Sequence, residues 1–204
     1  MTSRFSRIAG SLISAGVLAF SVLSTAATAA DVIKIGVTPV PHADIVKLIK
    51  PALEKEGVEL KAVEFNDYIQ PNAALADGDL DANFFQTIPY LEEMSRQNGY
   101  KFAILTSVHL EPMAVYSDKY KSVKDLPEGA RIAVPSDPTN EGRALKVLES
   151  AGVIKLKKGA TLLATVKDIV ENPKKVTFYE LEPAQLPRVL PDVAAAVINA
   201  NYAL

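Results

Sequence analysis

A chemical reading of this chain begins with Arg143. It closes the stretch Ser136-Asp137-Pro138-Thr139-Asn140-Glu141-Gly142-Arg143, which follows the apolar run Ile132-Ala133-Val134 and precedes Ala144 to Ser150. The first run reads as a strand ending at Pro135, the second as a helix. A polar turn from the carboxyl end of a strand into a helix is where open α/β sheets place ligands. Free backbone N–H groups and the helix dipole favour an anion there. Arg143, expected in the first helical turn, adds a planar two-pronged donor suited to a carboxylate. A plainer arrangement fits the same residues, with Thr139 or Asn140 capping the helix and Arg143 solvated.

Three further loops have the same character. Asn83 to Tyr90 lies between a short strand and a helix; Pro89 suits the first helical turn, and Gln86 or Thr87 can cap it. Phe84, Phe85 and Tyr90 bring aromatic area to that helix start, with Phe84 read as core packing. Phe65 to Asn72 follows a strand, and there Tyr68 can wall a pocket, or Asn66 and Asp67 can simply cap the next helix. Ile198-Asn199-Ala200-Asn201-Tyr202 follows an apolar run. Asparagine offers a donor and an acceptor, although it also favours turns. Together these residue types meet the needs of a zwitterionic small molecule. Arginine takes a carboxylate, asparagine carbonyls take an ammonium, and aromatic walls take an apolar side chain.

Catalytic patterns are missing. The two histidines, His42 and His109, have no partner at metal-ligand spacing, and His42 reads as packing or a cap. Neither a Gly-x-Ser-x-Gly elbow nor a phosphate loop occurs. Asp77, Asp79 and Asp81 lack the downstream glutamate of a calcium loop and read as a solvated turn. No metal and no cofactor is expected.

The elements that position these loops follow from periodicity. Val32 to Val37 reads as a strand, with a turn at Thr38 to Pro41. A helix over 43–56 has the apolar face Ile45, Val46, Leu48, Ile49, Ala52 and Leu53, with Pro51 kinking or splitting it. Val58 to Phe65 alternates as a strand. A helix end, a turn and a short strand cover 75–84, and Pro89 to Gln97 is helical. Two extended runs, Phe102 to Val108 and Met113 to Tyr116, are read as crossing between lobes. The second series has strands at 132–135, 176–181 and 194–198 and a short helix over 166–170. Strands alternating with helices imply parallel pairing and an α/β fold.

Residues 1–30 read as a secretory signal, with Arg4 and Arg7, an apolar run, then small residues up to Ala30. Cleavage near Ala30 predicts a soluble periplasmic protein, and with no cysteine in the chain no lipid-modified cysteine is expected. Removing this segment removes two arginines, leaving 20 basic against 24 acidic residues and a net charge of −4. Nothing in that balance suggests a nucleic-acid partner. Disulfides are excluded.

These motifs resemble the NlpA family of periplasmic methionine-binding proteins, over about Ile33 to Leu204. The likeness rests on Gly36-Val37-Thr38-Pro39, Asn66-Asp67-Tyr68, Gln70-Pro71-Asn72, Phe85-Gln86, Pro89-Tyr90-Leu91, Glu111-Pro112-Met113, Asp137-Pro138-Thr139-Asn140, Gly142-Arg143-Ala144-Leu145 and Ile198-Asn199 with Asn201-Tyr202-Ala203. It implies a two-lobed type II periplasmic binding protein fold. Residues 31–117 would form lobe 1 with the first crossover, and 118–204 lobe 2 and the start of the second. It implies capture of methionine or a related apolar or thioether amino acid for an ABC permease of the inner membrane, by a monomer that is not an enzyme. Arg143 would hold the ligand carboxylate, Asn140 would support the same loop and face the ligand, and Asn199 would meet the head group. Tyr68, Phe85 and Tyr90 would wall the side chain. The alternatives are an enzyme, or a non-transporting protein, on the same scaffold.

Two departures from the family matter. Thr87 stands where the family usually has histidine, which implies altered selectivity or weaker methionine binding. Family members also continue beyond Leu204, returning to lobe 1. The sequence stops as that return begins, which implies either a fragment or truncated reading frame, or an incomplete first lobe with bare apolar sheet surface and poor stability.

Overall fold

The computed structural model describes residues 31–204, so the proposed signal segment lies outside the described residues. Its first sheet orders β1 (Asp31–Val37), β2 (Val58–Glu64) and β3 (Ala82–Phe84) as β2-β1-β3, all parallel. Three helices follow these strands in turn: α1 (Asp44–Lys55), α2 (Gln70–Ala76) and α3 (Ile88–Asn98).

A second sheet is built from β4 (Met113–Tyr116), β5 (Arg131–Pro135), β8 (Thr177–Leu181) and β9 (Ala195–Asn199), in the order β4-β9-β5-β8. Here β5 runs parallel to both β8 and β9, while β4 is antiparallel to β9. Between β5 and β8 lie α4 (Pro138–Ser150) and a small antiparallel pair, β6 (Lys155–Leu156) with β7 (Ile169–Glu171). The short helices α5 (Leu186–Val189) and α6 (Ala200–Ala203) flank β9.

Both sheets therefore share one plan, in which the first strand of each series sits between the second and the third. This places the loops after β2, β3, β5 and β9 at carboxyl strand ends, the side on which α/β sheets bind ligands. The two halves differ in how much core they hold. Ile132, Val134, Leu145, Leu148 and Val197 anchor a large buried cluster around the second sheet. The cluster of the first sheet has only Val37, Val46 and Leu60 fully buried. Each such side chain contributes about 1.5–3 kcal/mol, so the second half carries most of the apolar stabilisation.

Several expectations are corrected. The apolar face of α1 buries Val46 but leaves Leu48 79% exposed. Among the described residues nothing packs over that side of the helix. Pro51 does not split α1, which is continuous from Asp44 to Lys55. Pro51 and Lys47, whose carbonyl loses its intrahelical donor, both lie on the exposed side, where water replaces that bond. The run Phe102 to Val108 joins no sheet, and Leu105 in it is 84% exposed. Among the described residues no strand pairs with it. The short helix expected over 166–170 is one 3₁₀ turn, Val166–Asp168, that passes directly into β7. Phe84 packs against the first core, in agreement with its reading as core packing.

Gly142 is needed where α4 meets the following loop. A Cβ built there would lie 2.1 Å from the Leu162 carbonyl oxygen, a backbone atom that cannot swing away. Gly142→Ala should therefore destabilise the fold by about 1–3 kcal/mol or more through forced backbone shifts, read as a lower urea midpoint with an unchanged slope. An unchanged midpoint would mean that the loop yields freely.

Candidate functional site

The start of α4 does not use the cap expected for it. Asp137 is the N-cap, and its Oδ1 accepts from the Asn140 backbone N–H at 3.0 Å. Thr139 and Asn140 lie inside the helix, because Pro138 takes the first helical position. Two consequences follow. The helix starts earlier than expected, so Arg143 sits in its second turn, three residues after Asn140 and on the same face. The N–H groups expected to receive an external anion face the protein's own Asp137 carboxylate instead, which leaves Arg143 as the charged donor of this loop.

Arg143 is held by neutral oxygens. One terminal nitrogen donates to Asn140 Oδ1 at 2.9 Å and the other to the Glu111 backbone carbonyl at 3.0 Å. Among the described residues it forms no salt bridge. Its charge is thus oriented without being neutralised. The Asn140 Nδ2 donates to both Asp137 oxygens at 3.0 Å, and its Oδ1 also accepts from Asn199 Nδ2 at 3.1 Å. Asn140 is therefore spent on holding its neighbours. Asn199 Oδ1, in contrast, is buried with no partner among the described residues. An acceptor so placed costs about 1–3 kcal/mol unless something donates to it.

The first half supplies the opposite wall. Tyr68 follows β2; Phe85 and Thr87 follow β3; Tyr90 is in the first turn of α3. Thr87 is the α3 N-cap, its Oγ1 accepting from the Tyr90 N–H at 3.4 Å. Asp67 Oδ1 accepts from the N–H groups of Ile69 and Gln70, so the capping assigned to that loop is present as well. Tyr68, Phe85 and Tyr90 form one buried aromatic cluster with ring centroids 5.9–6.2 Å apart. Burial pushes the Tyr68 and Tyr90 hydroxyls far up, so both are neutral donors. Tyr90 donates to the Tyr68 carbonyl at 2.9 Å. Beneath them Asn72 and Gln86 exchange two amide hydrogen bonds of 2.8 Å, which fixes the loop that carries Phe85 and Thr87.

The halves meet across the cleft. Tyr68 Oη donates to Asn201 Oδ1 at 2.6 Å, and Tyr202 Oη donates to the Asn66 carbonyl at 3.0 Å. The cleft between them leaves about 10 Å³ of free space, room for about one water molecule. All seven residues singled out from the sequence line it: Tyr68, Phe85, Thr87, Tyr90, Asn140, Arg143 and Asn199. Gln86 and Glu111 line it too. Neither was singled out for the site, although Gln86 lies in the aromatic loop and Glu111 opens the Glu111-Pro112-Met113 motif. Burial pushes the Glu111 carboxyl up to about 7, against the pull of Arg143 and the Asn201 backbone N–H.

The histidines are placed in a way that sequence spacing cannot show. His42 is buried and packs edge-on against Phe84, with ring centroids 4.6 Å apart, consistent with a packing role. His109, distant in the chain, lies with its ring 5.1 Å from His42. The acidic residues Asp77, Asp79 and Asp81 are exposed.

Two sheets of one strand order, with an oriented guanidinium on one side of the cleft between them and aromatic rings on the other, define a two-lobed α/β protein. Residues 33–204 match the NlpA lipoprotein family, and the chain belongs to that family. A Vibrio cholerae protein named probable D-methionine-binding lipoprotein MetQ is 51% identical over 172 residues, covering 84% of this chain and 64% of the relative. The membrane lipoprotein TpN32 of Treponema pallidum is 41% identical over 174 residues, covering 85% of this chain and 65% of the relative. The solved structure of a nutrient-binding protein from Burkholderia cenocepacia, bound to methionine, is 56% identical with a TM-score of 0.80, over 84% of this chain and 73% of that one. The chain thus spans a little under two thirds of the length of the curated relatives it matches.

These names correct the expected localisation. The relatives are lipoproteins, one of them a membrane lipoprotein, so the family is membrane-held and not the freely soluble protein that cleavage near Ala30 would release. The expectation rested on a run of small residues and on a chain without cysteine. A leader with a basic start, an apolar run and small residues directs export whether or not the exported protein is then anchored, so that pattern could not detect anchoring.

One electrostatic consequence on α4 is testable. Burial pushes the Glu141 carboxyl up from 4.5 to about 7, with Val166 N–H donation opposing the shift and the Glu180 carboxyl adding to it. Between these values the folded protein holds a proton that the unfolded chain has released. This contribution to stability is complete below 4.5 and is lost as pH rises through 7. The difference in denaturation midpoint between wild type and Glu141→Gln isolates it from other titrating groups. That difference should shift in favour of the variant as pH rises from about 5 to about 8; a pH-independent difference would contradict the assignment.

Proposed function

We propose that this protein captures an amino acid, methionine or a related apolar or thioether amino acid, as the substrate-binding protein of an ABC importer. The observation that carries the reading is the pairing of Arg143, oriented and without a carboxylate partner, with the partnerless Asn199 Oδ1 in one closed cleft. A ligand carboxylate takes the free guanidinium N–H groups, and a ligand ammonium donates to Asn199 Oδ1. Tyr68, Phe85 and Tyr90 then wall the side chain. Thr87 presents a small hydroxyl, already used as a helix cap, where the family usually has an imidazole. Methionine in the related Burkholderia cenocepacia structure supports the ligand class.

We take residues 31–117 as the first lobe with a crossover, and 118–204 as the second lobe with the start of another. The ligand meets one open lobe, and hinge closure about the crossing segments buries it. Tyr68–Asn201 and Tyr202–Asn66 are contacts that closure would make, so they favour the closed form. The permease of the inner membrane would recognise that form. The protein is proposed to act as a monomer, with no nucleic-acid partner and no chemical step. The names of the relatives, which describe binding proteins, support binding over catalysis.

Calorimetric titration with a panel of amino acids tests the reading. Methionine or a close relative should bind with one site per chain. Arg143→Ala should cost about 2–5 kcal/mol, roughly 30-fold or more in Kd, while the protein still melts cooperatively. Binding of methionine that survives Arg143→Ala at full affinity would sink the head-group assignment. In the same panel Thr87→His should change the ranking of side chains, at a cost of about 1 kcal/mol in stability for the altered cap. Tight methionine binding that this substitution leaves untouched would remove Thr87 as a selectivity determinant.

A further inference from the structure

The fold brings together three metal-ligating side chains that lie far apart or unremarked in the sequence. One donor atom from each of His42, His109 and Glu111 lies within 4.8 Å of the other two. We propose that these residues form a binding site for a divalent transition-metal ion of the zinc class, beside the amino-acid cleft. Two imidazoles and one carboxylate are a borderline ligand set that suits zinc and its neighbours better than calcium or magnesium.

Two observations support the site beyond the juxtaposition. His42 Nδ1 is hydrogen-bonded to the buried Thr38 Oγ1 at 2.6 Å. With the hydroxyl accepting from Nδ1–H, Nε2 keeps its lone pair, and the ring is oriented as the outer partner of a metal-bound histidine orients it. Glu111 Oε1 is buried without a partner among the described residues, and a cation would satisfy it. Packing accounts for the edge-on contact of His42 with Phe84, but it does not account for a partnerless carboxylate oxygen beside two imidazoles.

The geometry needs a small contraction. Bonds of about 2.1 Å in a tetrahedral site put donors about 3.4 Å apart. His42 is fixed in the short turn Pro39–Ala43, whereas His109 is exposed on a segment outside both sheets, so His109 can supply the movement. Water would complete the coordination from the exposed side. The site would also tie the segment 109–111 to the clamp, since the Glu111 carbonyl accepts from Arg143.

The test is titration of the full chain, prepared without an added histidine tag, with zinc chloride by calorimetry and with cobalt(II) by visible absorption. One Zn²⁺ should bind per chain, and Co²⁺ should give ligand-field bands stronger than those of the aqueous ion. His109→Ala, at an exposed position, and Glu111→Gln should each weaken Zn²⁺ at least about tenfold and abolish the Co²⁺ bands, with circular dichroism unchanged. Absence of saturable Zn²⁺ uptake, or uptake unaltered in either variant, would overturn the proposal.

Discussion

A guanidinium held in a cleft by uncharged oxygens is the constraint on which the site depends. Arg143 spends two donors on Asn140 and the Glu111 carbonyl, and no carboxylate of the described residues pairs with it. Were a carboxylate bonded there, the charge would be neutralised and the cleft would have little preference for an anion. Neutral partners give direction without neutralisation. The arrangement has further requirements. Asn140 must be turned by Asp137, Asp137 must cap α4, and Gly142 must let α4 approach the backbone at Leu162. The site is thus an outcome of the way α4 starts.

The same economy is visible across the cleft. The aromatic wall is rigid because Thr87 caps α3, Tyr90 reaches the Tyr68 carbonyl, and a reciprocal amide pair locks the loop below. Tyr68–Asn201 and Tyr202–Asn66 bridge the aromatic-side and asparagine-side loops by hydrogen bonds near the cleft. Neutral hydrogen bonds are worth about 0.5–1.5 kcal/mol each, so these two bias an open–closed equilibrium without locking it. A ligand gripping Arg143 on one side and the aromatic wall on the other would add the remaining bias.

Much of this was legible from residue types. The strand-to-helix loops carry punctuation such as Pro89 and Pro138, Gly99 closes α3, and the apolar runs of β5 and β9 are too continuous for a surface. Those signals are local and place the cleft-lining residues well. What failed depends on tertiary partners. The stripe on α1 has helical spacing, yet Leu48 meets solvent, because periodicity reports what a helix could bury and not what covers it. Phe102 to Val108 reads as an extended run, and extension alone does not say whether a neighbouring strand pairs with it. Competition between Asp137, Thr139 and Asn140 for one cap was decided by Pro138, whose ring claims the first helical position. The meeting of His42 with His109 and Glu111 arises from a long-range contact that no spacing rule encodes.

The central claim is that Arg143 and Asn199 read the two charged ends of an amino acid. Chemical blocking of the ligand tests this most directly, because it leaves the protein intact. Calorimetric titration with methionine, its methyl ester and its N-acetyl derivative should show binding of the free amino acid, with both derivatives weakened by at least about tenfold through a lost charge-assisted contact. Equal binding of either derivative would contradict the account at the end of the ligand that was blocked.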